Sequence, residues 1–469
     1  MIKTIVSCLL HSAEESPTRI VAIGILTVIA ILSIFASERA DADTVVFRNP
    51  VVRIEEEVYT FKSPDNGSGP LWSYGCTQIV RMGEEVVVSA METGVDVPPL
   101  CNTRWRLLRR EQGAWRMIAE ADAYRQREPC PVAITSDQDL FLYVNDSLEP
   151  PGTYYGPCDP HLIHFQMQES GIARTALRPQ WAGKPYYTDH SYRGYAADPA
   201  RGELLMLNID AKTGVQHACL LNTNGDTLAT GSIEFPIRSC YPQVALVDRA
   251  AYVLAIGDIV EPVKEWREYK FEQTQREWDY VFRILYFTWT PDITSQPFAA
   301  PIEIANVDAS GGHISNQDLW IAPDGAAWLM YTEREVQNEL MRDRFFPDKS
   351  VINSLHLAVV KNSEIIERRV LMEGSASEAP GHARFHSTPD GQLYVVAYCR
   401  GENAGHRLLR LLPESNRLQA IPLPLKRPMS EYCLASVRAG NASAFIIDML
   451  GLSSENTLSY ARIDLEPAS

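Results

Sequence analysis

The sequence predicts an all-β fold, a seven-bladed β-propeller, and two observations favour it. The first is a hairpin at Gly312–Glu333, in which two apolar runs flank the turn Pro323-Asp324-Gly325. Proline presets φ, aspartate bonds its own backbone and glycine accepts positive φ, so the turn has a physical basis. The second is that this hairpin recurs at intervals of roughly 50 to 75 residues, as expected for one sheet per blade.

Each copy consists of an apolar run, a turn and a second apolar run, as expected of strands buried on both faces. Besides the hairpin described above, the copies are His382–Cys399, which matches it almost position for position, and the weaker Cys76–Glu92, Cys130–Asp146, Tyr192–Asp210, Cys240–Asp258 and Cys433–Met449. Apolar residues make up 45% of the chain, enough for a large core. The seven copies predict seven blades.

Residues 1–42 are expected to be a signal peptide or a signal-anchor helix. The uncharged apolar run Ile20–Ala36 follows Arg19, and Ala40-Asp41-Ala42 has the small-x-small pattern of a cleavage site. Either form places the propeller outside the cytoplasm, whether secreted, periplasmic or membrane-anchored, and any membrane contact runs through this segment if it stays uncleaved. The propeller is expected over 43–469. Its first strand, within Asp43–Lys62, would complete the last blade and close the ring.

The blades follow in order along the chain, and two of them are interrupted. Their expected bounds are about 70–122, 123–183, 184–234, 235–305, 306–375, 376–424 and 425–466. Insertions rich in aromatic and charged residues separate the second and third strands of blades four (Glu261–Tyr280) and five (Glu333–Ser350). We expect them to form a wall beside one mouth of the channel, since long loops in a compact scaffold often carry function. The alternative is that they only pack together or cover a dimer contact.

Charge and cysteine content limit the class of protein. The chain has 59 acidic and 43 basic residues, which argues against a general nucleic-acid binder. Nine cysteines suit an oxidising compartment, and matching positions in blades one and two predict the disulfides Cys76–Cys101 and Cys130–Cys158, with buried free thiols as the alternative. The pairing of Cys219, Cys240, Cys399 and Cys433 stays open. No cofactor is expected, although calcium at an acidic mouth is possible.

Propeller geometry predicts where chemistry would gather. Residues that begin an inner strand and residues that end a second strand meet at one mouth of the channel. The catalytic candidates there are Asp258, Asp318 and Glu333 as the acids of a glycoside hydrolase, or His382 and His386 with Tyr192 for proton abstraction beside a uronic acid carboxylate. The substrate-binding candidates are Arg193, Arg238, Tyr241, His313, Arg384 and Trp278, because arginine suits bidentate binding of carboxylate or sulfate and aromatic rings stack on sugars.

The repeated hairpins, the Gln112-Gly113-x-Trp115 turn and the export segment resemble the sialidase-like superfamily of exported bacterial repeat propellers, the BNR-repeat-like proteins. The resemblance covers most of 43–466 and implies a carbohydrate-active or glycan-binding role. The Asp-box pattern of that superfamily is not intact here, so no family site residue is assigned.

The sequence therefore predicts an exported carbohydrate-active propeller that acts on an acidic oligo- or polysaccharide at the channel mouth, as a glycoside hydrolase or a polysaccharide lyase. The alternative is a non-catalytic scaffold that binds a glycan or a protein through the same face. A dehydrogenase of propeller type is a third, less favoured possibility.

Overall fold

The computed structural model describes residues 48–72, 75–168, 171–190, 192–414 and 418–467. Its strands before blade four are β1 (Arg48–Thr60), β2 (Ile79–Met82), β3 (Glu85–Thr93), β4 (Thr103–Glu111), β5 (Ala114–Glu120), β6 (Val132–Ser136), β7 (Asp139–Ser147), β8 (Cys158–Gln168), β9 (Gly171–Leu177), β10 (Gly194–Asp198), β11 (Glu203–Ile209), β12 (Gln216–Asn222) and β13 (Thr227–Ile233). Blades four and five contain β14 (Ser239–Val247), β15 (Ala250–Gly257), β16 (Ile259–Val260), α1 (Lys264–Thr274), β17 (Tyr280–Val281), β18 (Ile284–Thr290), β19 (Ile302–Asn306), β20 (His313–Ile321), β21 (Ala327–Arg334), α2 (Glu339–Phe345), β22 (Ser354–Lys361) and β23 (Glu364–Met372). The last two blades contain β24 (Glu378–Ser387), β25 (Leu393–Gly401), β26 (Gly405–Leu412), β27 (Ala420–Leu423), β28 (Tyr432–Leu434), β29 (Ile446–Ser454) and β30 (Thr457–Pro467).

Apart from β16 and β17, which pair with each other, these strands form seven four-stranded antiparallel sheets, and the chain is a seven-bladed β-propeller as predicted. The inner strands β2, β6, β10, β14, β20, β24 and β28 lie next to one another in this order, and β28 returns to β2. The outer position of the last sheet is taken by β1, which pairs with β30. The described ends of the chain therefore share one blade.

The hairpin that predicted the fold is formed by β20 and β21. Its Gly325 has φ +80°, and the Asp324 carboxylate accepts a hydrogen bond from the Ala326 N–H at 3.1 Å. Strand β21 buries all its apolar side chains, whereas Trp320 and Ile321 of β20 are half-buried. Leu319 and Leu329 lie in one cluster with residues of blade four. The turn chemistry and the two-sided burial therefore agree with the sequence.

The seventh copy departs from the expected tight hairpin. Strands β28 and β29 are separated by the axial segment, residues 435–445, which turns into the channel. There the Arg438 guanidinium donates to the carbonyls of Gly75 at 3.0 Å and Val244 at 2.9 Å and pairs with the Asp318 carboxylate. The segment is rich in small residues, mainly alanine and serine, which have little apolar surface to bury within a blade. It closes the channel instead.

The two insertions lie between second and third strands, as predicted, and they pack against each other. The Trp266 ring of α1 contacts Phe345 and Phe346 of the α2 region, with ring centres 6.2 and 5.4 Å apart. Beneath them the Glu261 carboxylate is fully buried between Lys270, at 2.8 Å, and Arg283. The alternative expectation was that these insertions pack together, and the structure shows this contact.

The predicted disulfides Cys76–Cys101 and Cys130–Cys158 are absent, and all eight described cysteines are buried thiols. Equivalent cysteines of blades one and two share neighbours. Cys76 contacts the Arg193 carbonyl and Cys130 contacts the Arg193 guanidinium, whereas Cys101 and Cys158 both lie near Asp189. The matching positions therefore reflect equivalent packing in two blades and not a bridge within each blade.

Within the described residues no helix has the length and apolar character needed to cross a membrane. The run Ile20–Ala36 and the cleavage motif lie outside the described residues. Export and extracytoplasmic location therefore stay predictions.

Candidate functional site

The entry face is the face of the propeller where inner strands begin and second strands end. Two tyrosines there, Tyr192 before β10 and Tyr241 in a bulge of β14, have positive φ values of 44° and 50°. Bulky residues seldom adopt this conformation because it strains the backbone. Such strain is typically found at sites where the position of a side chain matters. The backbone of blades three and four therefore holds two aromatic rings in fixed positions at this mouth.

A histidine–carboxylate pair stands beside these rings. The Nδ1 atom of His190 bonds to the Oε1 atom of Glu128, a side chain only 4% exposed. Burial alone would raise the pKa of Glu128, but its hydrogen bond with His190 and the charges of Arg193 and Arg127 outweigh burial, so the pKa is lowered. An ionised carboxylate on Nδ1 fixes the imidazole so that Nε2 is the proton acceptor. This arrangement is that of an oriented general base.

A second polar cluster surrounds the hydroxyl of Tyr192. The Arg238 guanidinium carbon lies 5.0 Å from the centre of the Tyr192 ring, and Arg238 pairs with the buried Asp258 carboxylate. The Cys240 thiol donates to the same carboxylate at 2.6 Å. Burial raises the pKa of the Tyr192 phenol. The phenol is therefore protonated at neutral pH, with the Arg238 guanidinium next to it.

The aromatic arc is the row of rings His190, Tyr192, Tyr241, Phe282 and His313 along the mouth. Successive ring centres are 3.9, 4.8, 5.8 and 5.9 Å apart. Trp72 adds a further ring 6.4 Å from Tyr241. Neighbouring ring planes are inclined by 51° to 83°, so the rings meet tilted or edge to face and give this mouth an aromatic lining.

Several predicted residues lie at this face without joining the cluster around Tyr192. Burial lowers the pKa of His313 and of His382 to about 3, which keeps both imidazoles neutral. Burial raises the pKa of Glu333, which is half-buried at the end of β21. The Arg384 guanidinium donates to the Gln317 carbonyl at 2.6 Å. His313, His382 and Glu333 lie towards the mouth at blades five and six, whereas Arg384 lines the channel interior with Asp318 and Arg438.

Other predicted residues occupy different places. Arg193 is 6% exposed and donates to the carbonyls of Tyr143 and Pro129, each at 2.7 Å. Its guanidinium therefore holds neighbouring main chain in place instead of facing the mouth. Asp318 lies inside the channel, bound to Arg438. Trp278 is 70% exposed beyond α1. His386 was predicted at the entry mouth and this placement is wrong, because it lies near the end of β24 and bonds the Ala444 carbonyl at 2.8 Å.

The turn face is the opposite face, where the hairpin turns of the blades lie. Two cavities of about 320 and 520 Å³ flank the axial segment there and share Trp320 and Ser387 as lining residues. The smaller one is also lined by Arg81, His386 and Asp448. These sizes are typical of small-ligand sites.

Metal binding has no candidate in the part of the chain that the structure describes. No group of three or more His, Cys, Asp or Glu side chains there is placed to hold an ion. The expectation of calcium at the mouth therefore gains no candidate ligand set from the described residues.

Sequence reasoning assigned no role to His190, Glu128 or Arg438. Glu128 lies in the segment between blades one and two, where no repeat pattern marks it. Arg438 lies in the seventh copy of the hairpin, which was assigned a regular turn. In both cases the signal was a charged residue in an irregular segment, which identifies no partner by itself.

No protein-family model matches the chain, and no curated protein matches it. Among solved structures, it is similar to the polysaccharide lyase Uly1, with a TM-score of 0.53 and 8% identity over 90% of this chain and 100% of that chain. It is also similar to the BP39L lectin from Burkholderia pseudomallei, with a TM-score of 0.50 and 10% identity over 84% of this chain and 99% of that chain. At these identities the likeness shows the β-propeller fold. Kinship with the sialidase-like superfamily stays a prediction.

Proposed function

We propose that this protein is a carbohydrate-active propeller whose entry face cleaves an acidic polysaccharide by β-elimination. The observation that carries the proposal is the pair of His190 and Glu128 in ring contact with Tyr192, which adjoins Arg238. These groups supply a base, an acid and a cation within one cluster. A polysaccharide lyase and a lectin share the fold, which supports a glycan as the ligand.

Each group has a defined role in the proposed reaction. Arg238 faces the carboxylate of a uronic acid and stabilises the negative charge that develops when the neighbouring carbon loses its proton. The Nε2 atom of His190 takes that proton. The electron pair of the broken C–H bond forms a carbon–carbon double bond, and the glycosidic C–O bond breaks. Tyr192 donates its phenolic proton to the leaving oxygen, which gives a new chain end and an unsaturated uronate.

Hydrolysis is less well supported by the geometry. Glycoside hydrolysis needs two carboxyl groups facing one open site. Asp258 is 2% exposed and bound to Arg238 and Cys240, and Asp318 is 3% exposed and bound to Arg438. Neither carboxylate is open to a sugar and a water molecule.

The alternative, a non-catalytic glycan-binding propeller, has support from the turn face. Its two adjoining cavities and the Trp320 side chain that lines both would accept a sugar. This alternative predicts binding without the formation of new chain ends.

The test is incubation of the purified protein with a panel of acidic polysaccharides, with ultraviolet absorbance of the unsaturated uronate and reducing ends followed together. We expect both signals to rise. We expect His190→Ala and Tyr192→Phe to lower kcat by about 10²- to 10⁴-fold, the usual contribution of a general base or acid.

The matched control is His164→Ala, since His164 also bonds a carboxylate, that of Asp139 at 2.7 Å, but lies in blade two away from the cluster. It should retain activity. New reducing ends without absorbance would replace the lyase by a hydrolase, and binding without either signal would favour the glycan-binding alternative.

A further inference from the structure

Blades five and six place two arginines together at the entry face without an acidic partner. Arg334 ends β21 and is the cross-strand partner of His313, while Arg400 lies near the end of β25. The Arg400 Nε atom lies 3.5 Å from the Cβ position of Gly381, so its side chain extends over the start of the inner strand β24. Among the residues that the structure describes, no carboxylate lies within ion-pair distance of either guanidinium.

Hydrogen bonding leaves this cluster incomplete. The Nε atom of Arg334 and the Nδ1 atom of His313 are both buried, and neither has a hydrogen-bond partner among the described residues. A buried polar atom without a partner normally costs stability, which is why native structures contain few of them. Two such atoms on adjoining side chains indicate a place that some ligand group completes.

Electrostatics supports the same conclusion. Burial and the nearby charge of Arg400 lower the pKa of Arg334. Burial and the surrounding arginines also keep His313 and His382 neutral. Like charges that approach each other without a counter-ion repel, and a bound anion would remove this repulsion through charge-assisted hydrogen bonds.

The position of the cluster connects it to the site proposed above. The aromatic arc runs from His190 through Tyr192, Tyr241 and Phe282 to His313, the neighbour of Arg334. A sugar chain lying on the arc with one residue at His190 would bring a later residue to Arg334 and Arg400. An acidic group on that later residue would meet both guanidinium groups.

We propose that Arg334 and Arg400, with His313, form an anion-binding subsite for a carboxylate or sulfate group on a sugar remote from the bond that is cleaved. Guanidinium groups bind both anions in a planar, bidentate manner. This inference rests on the proposed function, and it specifies the substrate class as an anionic polysaccharide. Its binding can nevertheless be measured without turnover.

The test uses isothermal titration of the full chain with three probes: trigalacturonate, a sulfated galactotriose and uncharged galactotriose. We expect at least one anionic probe to bind more tightly than the uncharged one. We expect Arg334→Gln/Arg400→Gln to weaken binding of that probe about ten- to hundredfold, as expected for lost charge-assisted bonds, and to leave the uncharged probe unaffected. Preference for trigalacturonate would assign a carboxylate, and preference for the sulfated probe would assign a sulfate ester.

Two controls distinguish a binding role from a structural one. Arg116→Gln removes an exposed arginine of β5 that has no ion pair among the described residues, and it should leave all three affinities unchanged. The melting temperature of Arg334→Gln at low salt should stay equal or rise, because a repulsive charge is removed. A marked fall would show that Arg334 supports the fold, and equal binding of charged and uncharged probes by the wild type would overturn the subsite.

Failure of the lyase assignment would be visible separately. If no polysaccharide is cleaved but the anionic preference depends on Arg334 and Arg400, the subsite stands and the face is a binding surface. If cleavage depends on His190 but the double variant retains full affinity and kcat/KM, the subsite is wrong while the lyase stands.

Discussion

His386 is a buried histidine whose protonation the fold opposes. It is 7% exposed, its Nε2 atom donates to the Ala444 carbonyl, and burial lowers its pKa from 6.5 to about 4. The unfolded chain therefore takes up a proton near pH 6.5, whereas the folded chain does so only near pH 4. The stability that depends on the neutral imidazole is complete above about pH 6.5 and is lost as the pH falls towards 4.

We predict that His386→Gln makes the protein less sensitive to acid. The glutamine amide can still donate to the Ala444 carbonyl but does not titrate. Between about pH 6.5 and 4 the free energy of unfolding should fall with pH less steeply than in the wild type, by about 1.4 kcal/mol per pH unit, the equivalent of one proton. Urea unfolding at several pH values measures this slope, and equal slopes would show that His386 does not carry the linkage.

Site residues that begin inner strands could be predicted from the sequence, whereas those placed by contacts of the folded chain could not. Tyr192, Arg238 and Tyr241 begin inner strands, so the topology alone brings them to one mouth. Glu128 reaches His190 from a connecting segment, and only the folded chain shows that contact. His386 was assigned to the wrong face because the sequence did not show how far along β24 it lies; it pairs with Tyr394, next to the hairpin turn.

The axial segment is the element that most changes the interior of the ring. Its Arg438 contacts blades one, four and five, and the main chain at Arg438 and Ala439 bonds β10 and β6. Gly440 has φ +89°, and a Cβ there would lie 1.8 Å from the Ile134 carbonyl oxygen. Close backbone approach and a charged side chain at the axis together fix this segment.

We predict that Arg438→Met destabilises the protein by about 3–5 kcal/mol, because it leaves the Asp318 carboxylate buried without its cation. The double variant Arg438→Met/Asp318→Asn removes the unpaired charge and should recover part of this loss. The urea midpoints of the wild type, the single variant and the double variant measure these changes in stability. A single variant as stable as the wild type would show that the ion pair contributes nothing to the closed channel.

Elements with local signals were predicted well, and elements that depend on distant contacts were not. The Pro-Asp-Gly turn and the apolar runs of β20 and β21 specify a hairpin within one stretch of sequence. The axial segment instead follows a strand of only three residues, β28, and contains no such turn sequence. Its course is decided by Gly75, Val244 and Asp318, which come from three other blades.

At the scale of the whole molecule, the seven sheets form a ring whose last blade takes β1 as its outer strand. From the first segment of the chain, Val58 and Phe61 pack in one cluster with Leu458 and Tyr460 of β30. Without this first segment, Leu458, Tyr460 and one edge of β30 would face water. Unpaired strand edges promote association between chains.

We therefore predict that a chain beginning at Ser63 has a lower melting temperature and self-associates, compared with a chain beginning at Arg48. Thermal unfolding and size-exclusion chromatography measure the two effects. A monomer with an unchanged melting temperature would show that the ring is stable without the shared sheet.

The axial segment also bears on how the chain is made. Synthesis proceeds from the N-terminus, yet the residues that fill the centre of the ring belong to the final blade. The six earlier blades must therefore wait, with an empty centre and two open flanks, until residue 445 has emerged. A nascent chain of this protein would be a client for chaperones for most of its synthesis, and premature termination even within the last blade would yield a ring that never closes.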